Sequence, residues 1–222
     1  MNEHDKLLSG LQKTLSSTKA QLQSPTYVAE IICEIGIAPG LPFPYDKIGN
    51  QIEGLVQVPT QLADALVYLS DFPIRSYLEL GVSFGWTASF VTAYLFVFNP
   101  EIQAKAVDMQ PCFSSYEAVR RILPIEFVLG SAADFKGDGA DLCFIDADHS
   151  YSAAKADYLN LGRLCRFCMF HDIHDDRANQ NDPDGGCRRV WQEINRCSAS
   201  VKEWRGSLAG DNVMGIGLIQ HH

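Results

Sequence analysis

The sequence has no excess of positive charge. Its 18 lysines and arginines face 27 aspartates and glutamates, a net charge of -9. A protein that tracks a nucleic-acid backbone needs a basic face, so no nucleic-acid partner is expected. There is also no uninterrupted apolar run long enough to span a bilayer, so no membrane partner is expected. The opening stretch, MNEHDKLLSGLQKTL, is polar and mixed in charge and does not read as a signal peptide. The expectation is a cytoplasmic chain. A paired cysteine pattern is missing as well: the seven cysteines are odd in number and scattered, which argues against a disulfide framework. Cys165 and Cys168 form a C-x-x-C with no second pair, at the entry to an apolar run, and read as core residues. The closing His221 and His222 read as the stub of a purification tag.

What is present suits a folded α/β protein. The 222 residues are 46% hydrophobic and 20% charged, enough apolar surface for a sizeable core. Residues 1–24 carry Leu7, Leu8, Leu11 and Leu15 at helical spacing. An apolar helix is expected over Tyr27–Ile35, then a Pro- and Gly-rich loop, then a helix opening near Pro59 with Leu62, Ala65, Leu66 and Leu69 as its stripe. From Ser76 onward strands and helices alternate. The strands fall at Ser76–Leu80, Gln103–Val107, Glu126–Leu129, Asp141–Ile145, Cys168–His171, Val201–Trp204 and Val213–Ile219, and the helices at Trp86–Phe98, Ser114–Ile122, Ser150–Leu164 and Gly186–Asn195. The pattern predicts a Rossmann-like, doubly wound, mainly parallel seven-stranded sheet with helices on both faces and an antiparallel edge strand, preceded by an N-terminal helical extension. We divide the chain into an extension, 1–55, and a catalytic domain, 56–220. The extension either covers an acceptor pocket or pairs subunits into a homo-oligomer, because its apolar helix would be awkward if exposed.

Ligands of such sheets sit at the carboxyl ends of the strands, near the point where strand order reverses. The loop after the first strand reads E-x-G-x-x-x-G, with Glu79, Gly81, Ser83 and Gly85, and opens a helix at Trp86. Trp86 can lie over a cofactor or simply pack. The loop lacks the middle glycine that a pyrophosphate-binding dinucleotide loop needs, which counts against an NAD-dependent oxidoreductase. An acid at the strand end suits a cationic or hydroxyl-rich ligand better than a phosphate. Asp108, ending the second strand, can accept ribose hydroxyls, and Gly130 and Ser131 after the third can border an adenine. The fourth strand ends F-I-D-A-D-H-S-Y, with Asp146 and His149, and the fifth ends F-H-D, with His171 and Asp172. Aspartate oxygens with an imidazole suit Mg²⁺ or another divalent metal. The plain readings are that Ser150 caps the next helix and that His174, Asp175, Asp176, Asp182 and Asp184 form a solvated loop.

The ordered set of motifs resembles the class I S-adenosylmethionine (SAM)-dependent methyltransferases over residues 55–220, and within them the metal-dependent O-methyltransferase branch. That branch includes catechol, caffeoyl-CoA and macrolide-sugar types and relatives named after cephalosporin hydroxylase. The resemblance implies SAM held by Glu79, Gly81, Ser83, Gly85, Asp108, Gly130 and Ser131. It implies a metal on Asp146 and Asp172, with His171 standing where the branch usually has an oxygen ligand, and His149 as general base. The implied reaction is methyl transfer to a hydroxyl of a small molecule, a sugar or natural product. A metal-independent N- or C-methyltransferase and a non-catalytic SAM-fold module are the other readings.

Overall fold

The structure is a computed structural model that describes residues 3–36, 54–174, 182–198, 200–205 and 214–221. The Pro- and Gly-rich loop, Asp175, Asp176 and Val213 lie outside them. Among the described residues the N-terminal segment forms three helices. α1 (Glu3–Ser16) stops where Thr18 caps α2 (Lys19–Leu22) and the Gln21 side chain accepts from the Thr18 backbone, a reciprocal cap that starts a new helix. α3 (Pro25–Ile35) and α4 (Pro59–Leu69) each open on a proline, whose missing N–H has no helical partner at that position.

The alternating part then runs β1 (Ser76–Leu80), α5 (Trp86–Phe98), β2 (Gln103–Asp108), α6 (Tyr116–Val119), β3 (Ile125–Leu129), β4 (Leu142–Ile145), α7 (Tyr151–Asn160), β5 (Phe167–Phe170), α8 (Gly186–Asn195), β6 (Val201–Trp204) and β7 (Ile216–Gln220). The strands make one seven-stranded sheet in the order β3-β2-β1-β4-β5-β7-β6. All pairings are parallel except those of β7, which runs against both β5 and β6. The order reverses between β1 and β4, so the chemistry belongs where those two strands end.

Three expectations need correction. α6 is a single turn instead of a helix over Ser114–Ile122: the N–H groups of Ile122 and Leu123 both close on the Val119 carbonyl, and the chain then extends into β3. α7 stops at Asn160, and a short turn at Gly162–Leu164 follows. Gly162 lies so near β5 that a Cβ there would come within 2.6 Å of Cys168 Sγ. His221 is no loose stub: its N–H donates to the Arg166 carbonyl at 2.8 Å and its ring packs near Tyr158.

Alternate residues of the central strands feed two apolar layers. Tyr77, Ala106, Phe144, Phe167 and Met169 face α5 and the N-terminal helices; Leu78, Leu80, Cys143, Ile145, Cys168 and Phe170 face α7 and α8. β4 and β5 are buried along their whole length, as expected for inner strands of a covered parallel sheet. α5 is apolar all round because it lies between the sheet and the N-terminal helices, which contribute Leu7, Leu11, Leu22, Ile31 and Ile32 to the same core. Cys165 and Cys168 are buried core residues, as read from the sequence. No helix among the described residues is long and apolar enough to cross a membrane.

Candidate active site

β1 delivers the chain into the glycine loop, and three of its residues have left-handed backbone: Gly81, Ser83 and Gly85. Gly81 is required by its neighbours. A Cβ there would lie 2.3 Å from the Asp146 carbonyl oxygen and from the Ala147 Cα, so the loop after β1 touches the loop after β4. Backbone packing is thus a demand on Gly81 besides the expected approach of a ligand. Gly85, at the cap of α5, likewise abuts the Phe113 ring. Asp108 pins this loop: Oδ2 accepts from the Val82 and Ser83 N–H groups at 2.8 and 2.7 Å, and Oδ1 accepts from Gln110 N–H at 2.8 Å. A carboxylate offers about four acceptor positions, so Oδ1 keeps room for a hydroxyl.

Glu79 is buried beneath the loop and accepts a hydrogen bond from the Tyr77 hydroxyl on the same face of β1. Burial pushes its carboxyl well up, against the opposing effect of the Tyr77 bond. At the far edge, a Cβ on Gly130 would meet open space, and the Ser131 hydroxyl accepts from Ala133 N–H in a tight turn. Met109 and Leu129 flank this spot and are exposed, 65% and 59%, which offers apolar cover to a flat ring. The sequence reading passed over both because each follows an ordinary strand pattern. Trp86 is buried in the core, and its ring N–H has no partner among the described residues.

The ends of β4 and β5 bring all four predicted polar residues together. Asp146 Oδ1 lies 2.9 Å from His171 Nδ1 and 3.4 Å from His149 Nε2. Asp172 completes the ring, with Oδ2 3.3 Å from His149 Nε2 and Oδ1 3.5 Å from His171 Nδ1. Asp172 also has left-handed backbone, an uncommon state for a buried non-glycine residue. Ligand atoms of Asp146, His149 and His171 all lie within 4.8 Å of one another, close enough to share one cation. Ser150 caps α7, so the D-H-S-Y run serves both as helix start and as carrier of His149.

Two negative charges in one buried place need compensation. Here the imidazoles supply it. Burial alone would raise the Asp146 carboxyl, but the charge of His171 and hydrogen bonds from His149 and His171 hold it at about 2. Burial alone would lower His149; the hydrogen bond to Asp146 and the charge of Asp172 outweigh that and leave it raised. The remaining candidates are structural. His174 pairs with Glu203 at 3.2 Å, Asp184 pairs with Arg189 at 3.8 Å, and Asp182 accepts from the N–H groups of Tyr151, Asp184 and Gly186. Gln57 is a further member that sequence reasoning missed. It is fully buried, and its Nε2 donates to Asp146 Oδ2 at 2.9 Å across 89 positions of chain.

No protein-family model and no curated protein matches the sequence. Solved structures do match. An O-methyltransferase from Bacillus cereus in complex with S-adenosylhomocysteine (SAH) superposes with TM-score 0.59 at 15% identity, covering 95% of this chain and 95% of that one. The O-methyltransferase TomG from Streptomyces achromogenes, involved in tomaymycin synthesis and solved with SAM, gives 0.59 at 16% identity over 78% of this chain and 85% of its own. The N-methyltransferase NodS from Bradyrhizobium japonicum gives 0.55 at 13% identity over 71% and 92%. At these identities the likeness is one of fold: this chain has the Rossmann-like fold of SAM-dependent methyltransferases.

Proposed function

We propose that the chain is a SAM-dependent methyltransferase that methylates a hydroxyl of a small molecule, a sugar or natural product, with the help of a divalent metal. The observation that carries the reading is the Asp146–His149–His171–Asp172 cluster, set against the glycine loop at the switch point of the sheet. The loop fits SAM: a fixed backbone turn, an acid with a vacant acceptor position, and an exposed apolar edge beside Gly130. When bound, SAM supplies a methyl group on sulfonium and the metal a positive charge that lowers a hydroxyl's pKa. Asp146, His171 and Asp172 would hold the metal, and His149 would take the acceptor's proton. A divalent cation would also bring positive charge to the place where the Asp146 and Asp172 carboxylates meet.

The test is calorimetry with SAH, followed by methyl transfer to a panel of hydroxylated sugars and phenols with and without EDTA. SAH binding together with EDTA-sensitive turnover is expected. Absence of SAH binding would sink the enzyme reading, and full turnover in EDTA would sink the metal. One observation favours a metal-independent version: the imidazoles already balance both carboxylates, so His149 could be steered by Asp146 and Asp172 alone.

A further inference from the structure

Gln57 stands outside the sheet, two residues before the opening proline of α4. Its side chain reaches the end of β4, where the two imidazoles approach Asp146 at Oδ1 and Gln57 donates to Oδ2. The orientation of the amide follows from chemistry. Gln57 Nε2 lies 2.9 Å from Asp146 Oδ2 and donates to it, and a flipped amide would set its oxygen against a carboxylate oxygen. The Gln57 oxygen is therefore the outward end, and it is buried with no partner among the described residues. A buried amide oxygen left without a donor is uncommon and calls for a functional reason.

The backbone gives Gln57 little freedom to swing away. Val58 is extended, Pro59 fixes the first helical position, and Leu62 and Leu66 dock α4 into the core. Gln61, one turn on, accepts from Gly215 N–H at 3.0 Å and ties α4 to the chain entering β7. A rigid support thus holds a lone oxygen beside a carboxylate that already faces two imidazoles. Amide oxygens are ordinary ligands for hard divalent cations. Asp146, His171 and Asp172 offer two oxygens and one nitrogen; a further, uncharged oxygen from Gln57 would add to that set without adding like charge.

We propose that Gln57 is a further member of the cation site: its nitrogen orients Asp146 and its oxygen ligates the cation. The proposal rests on the metal-assisted reading above. It also gives the segment before α4 a direct part in the site, since the same residue that packs there completes the ligand shell.

The test uses the full chain and Mn²⁺ alone, followed by electron paramagnetic resonance, with SAH binding measured in parallel. Gln57→Met keeps the shape and removes both polar atoms; Mn²⁺ affinity should fall by about 10-fold or more, with SAH affinity held within about twofold of wild type. Gln57→Glu restores an oxygen, and its affinity for Mn²⁺ should equal or exceed that of wild type. Unchanged Mn²⁺ affinity in Gln57→Met overturns the proposal and leaves the metal-assisted reading standing. Equal losses of Mn²⁺ and SAH binding would mean a packing role and also overturn it, as would weak Mn²⁺ binding by Gln57→Glu. No Mn²⁺ binding by the wild type removes the metal reading and this inference together. Should Gln57→Met fail to fold, the Gln57→Glu result decides.

Discussion

At Asp108 one carboxylate does two jobs. It fixes the glycine loop through the Val82 and Ser83 N–H groups, and in the proposed function it also accepts from the ribose of SAM. Asp108→Ala should therefore weaken SAH binding by about 1.5–3 kcal/mol, the usual loss for charged hydrogen bonds, as read by calorimetry; an unchanged affinity would remove Asp108 from the site. Gly81→Val acts through a different cause. Its branched side chain would be driven into the Asp146 and Ala147 backbone, so a fall in melting temperature should accompany any loss of binding. Asp157, on the buried face of α7, tests the electrostatics of the core. Burial, with the charge of Asp148 nearby, pushes its carboxyl up to about 6. The folded state then binds a proton more tightly than the unfolded chain, and stability is lost as pH rises through about 4 to 6. Asp157→Asn should remove that loss, gaining about 1–3 kcal/mol at pH 8 and less at pH 5. Equal gains at the two pH values in urea titrations would contradict the assignment.

Between elements, the parallel sheet was readable because apolar strands and helices alternate from Ser76 on, and every strand lies within a few residues of its expected place. The acids and histidines of β4 and β5 were readable for the same reason: neighbouring strand ends meet whatever the side chains are. The Gln57 contact was not, since nothing local marks a glutamine as the partner of an aspartate 89 positions away. Nor did the amphipathic spacing of the first helices say what they cover. In the structure α1 and α3 bury Leu7, Leu11, Val28, Ile31 and Ile32 in the same layer as α5. Removing residues 1–50 would uncover that layer, so the truncated chain should aggregate or unfold rather than merely lose an acceptor cover. The β6 edge is held in another way. Burial would raise the Glu203 carboxyl, but hydrogen bonds from Trp191, Arg205 and His174 hold it at about 2. Its contribution is present above pH 4.5 and is lost as pH falls toward 2. Because Glu203 is partly solvated, Glu203→Gln should cost only about 1 kcal/mol at pH 7 and nothing near pH 2.

Across the whole molecule, the glycine loop and the acid–imidazole cluster form one mechanical unit. Asp146 N–H donates to the Leu80 carbonyl at 2.9 Å, and Gly81 follows directly, packed on the Asp146 carbonyl. The strand order places β1 against β4, so nothing separates the two halves of the site. A ligand that fixes the glycine loop must also narrow the positions open to Asp146, and a cation on Asp146 must do the same for the loop. Linkage makes such an effect reciprocal. At 100 times its Kd, SAH alone should stabilise the folded chain by about 2.7 kcal/mol, a rise in melting temperature of roughly 5–10 °C for a chain of this size. Mn²⁺ alone should give its own rise. If the two halves are coupled, SAH should bind more tightly in saturating Mn²⁺ than in EDTA, and Mn²⁺ more tightly with SAH present, by the same factor. Calorimetric titrations of each ligand in the presence and absence of the other measure that factor directly. A factor of one in both directions would mean that the Gly81–Asp146 contact carries no energy between the sites, and that loop and cluster act independently.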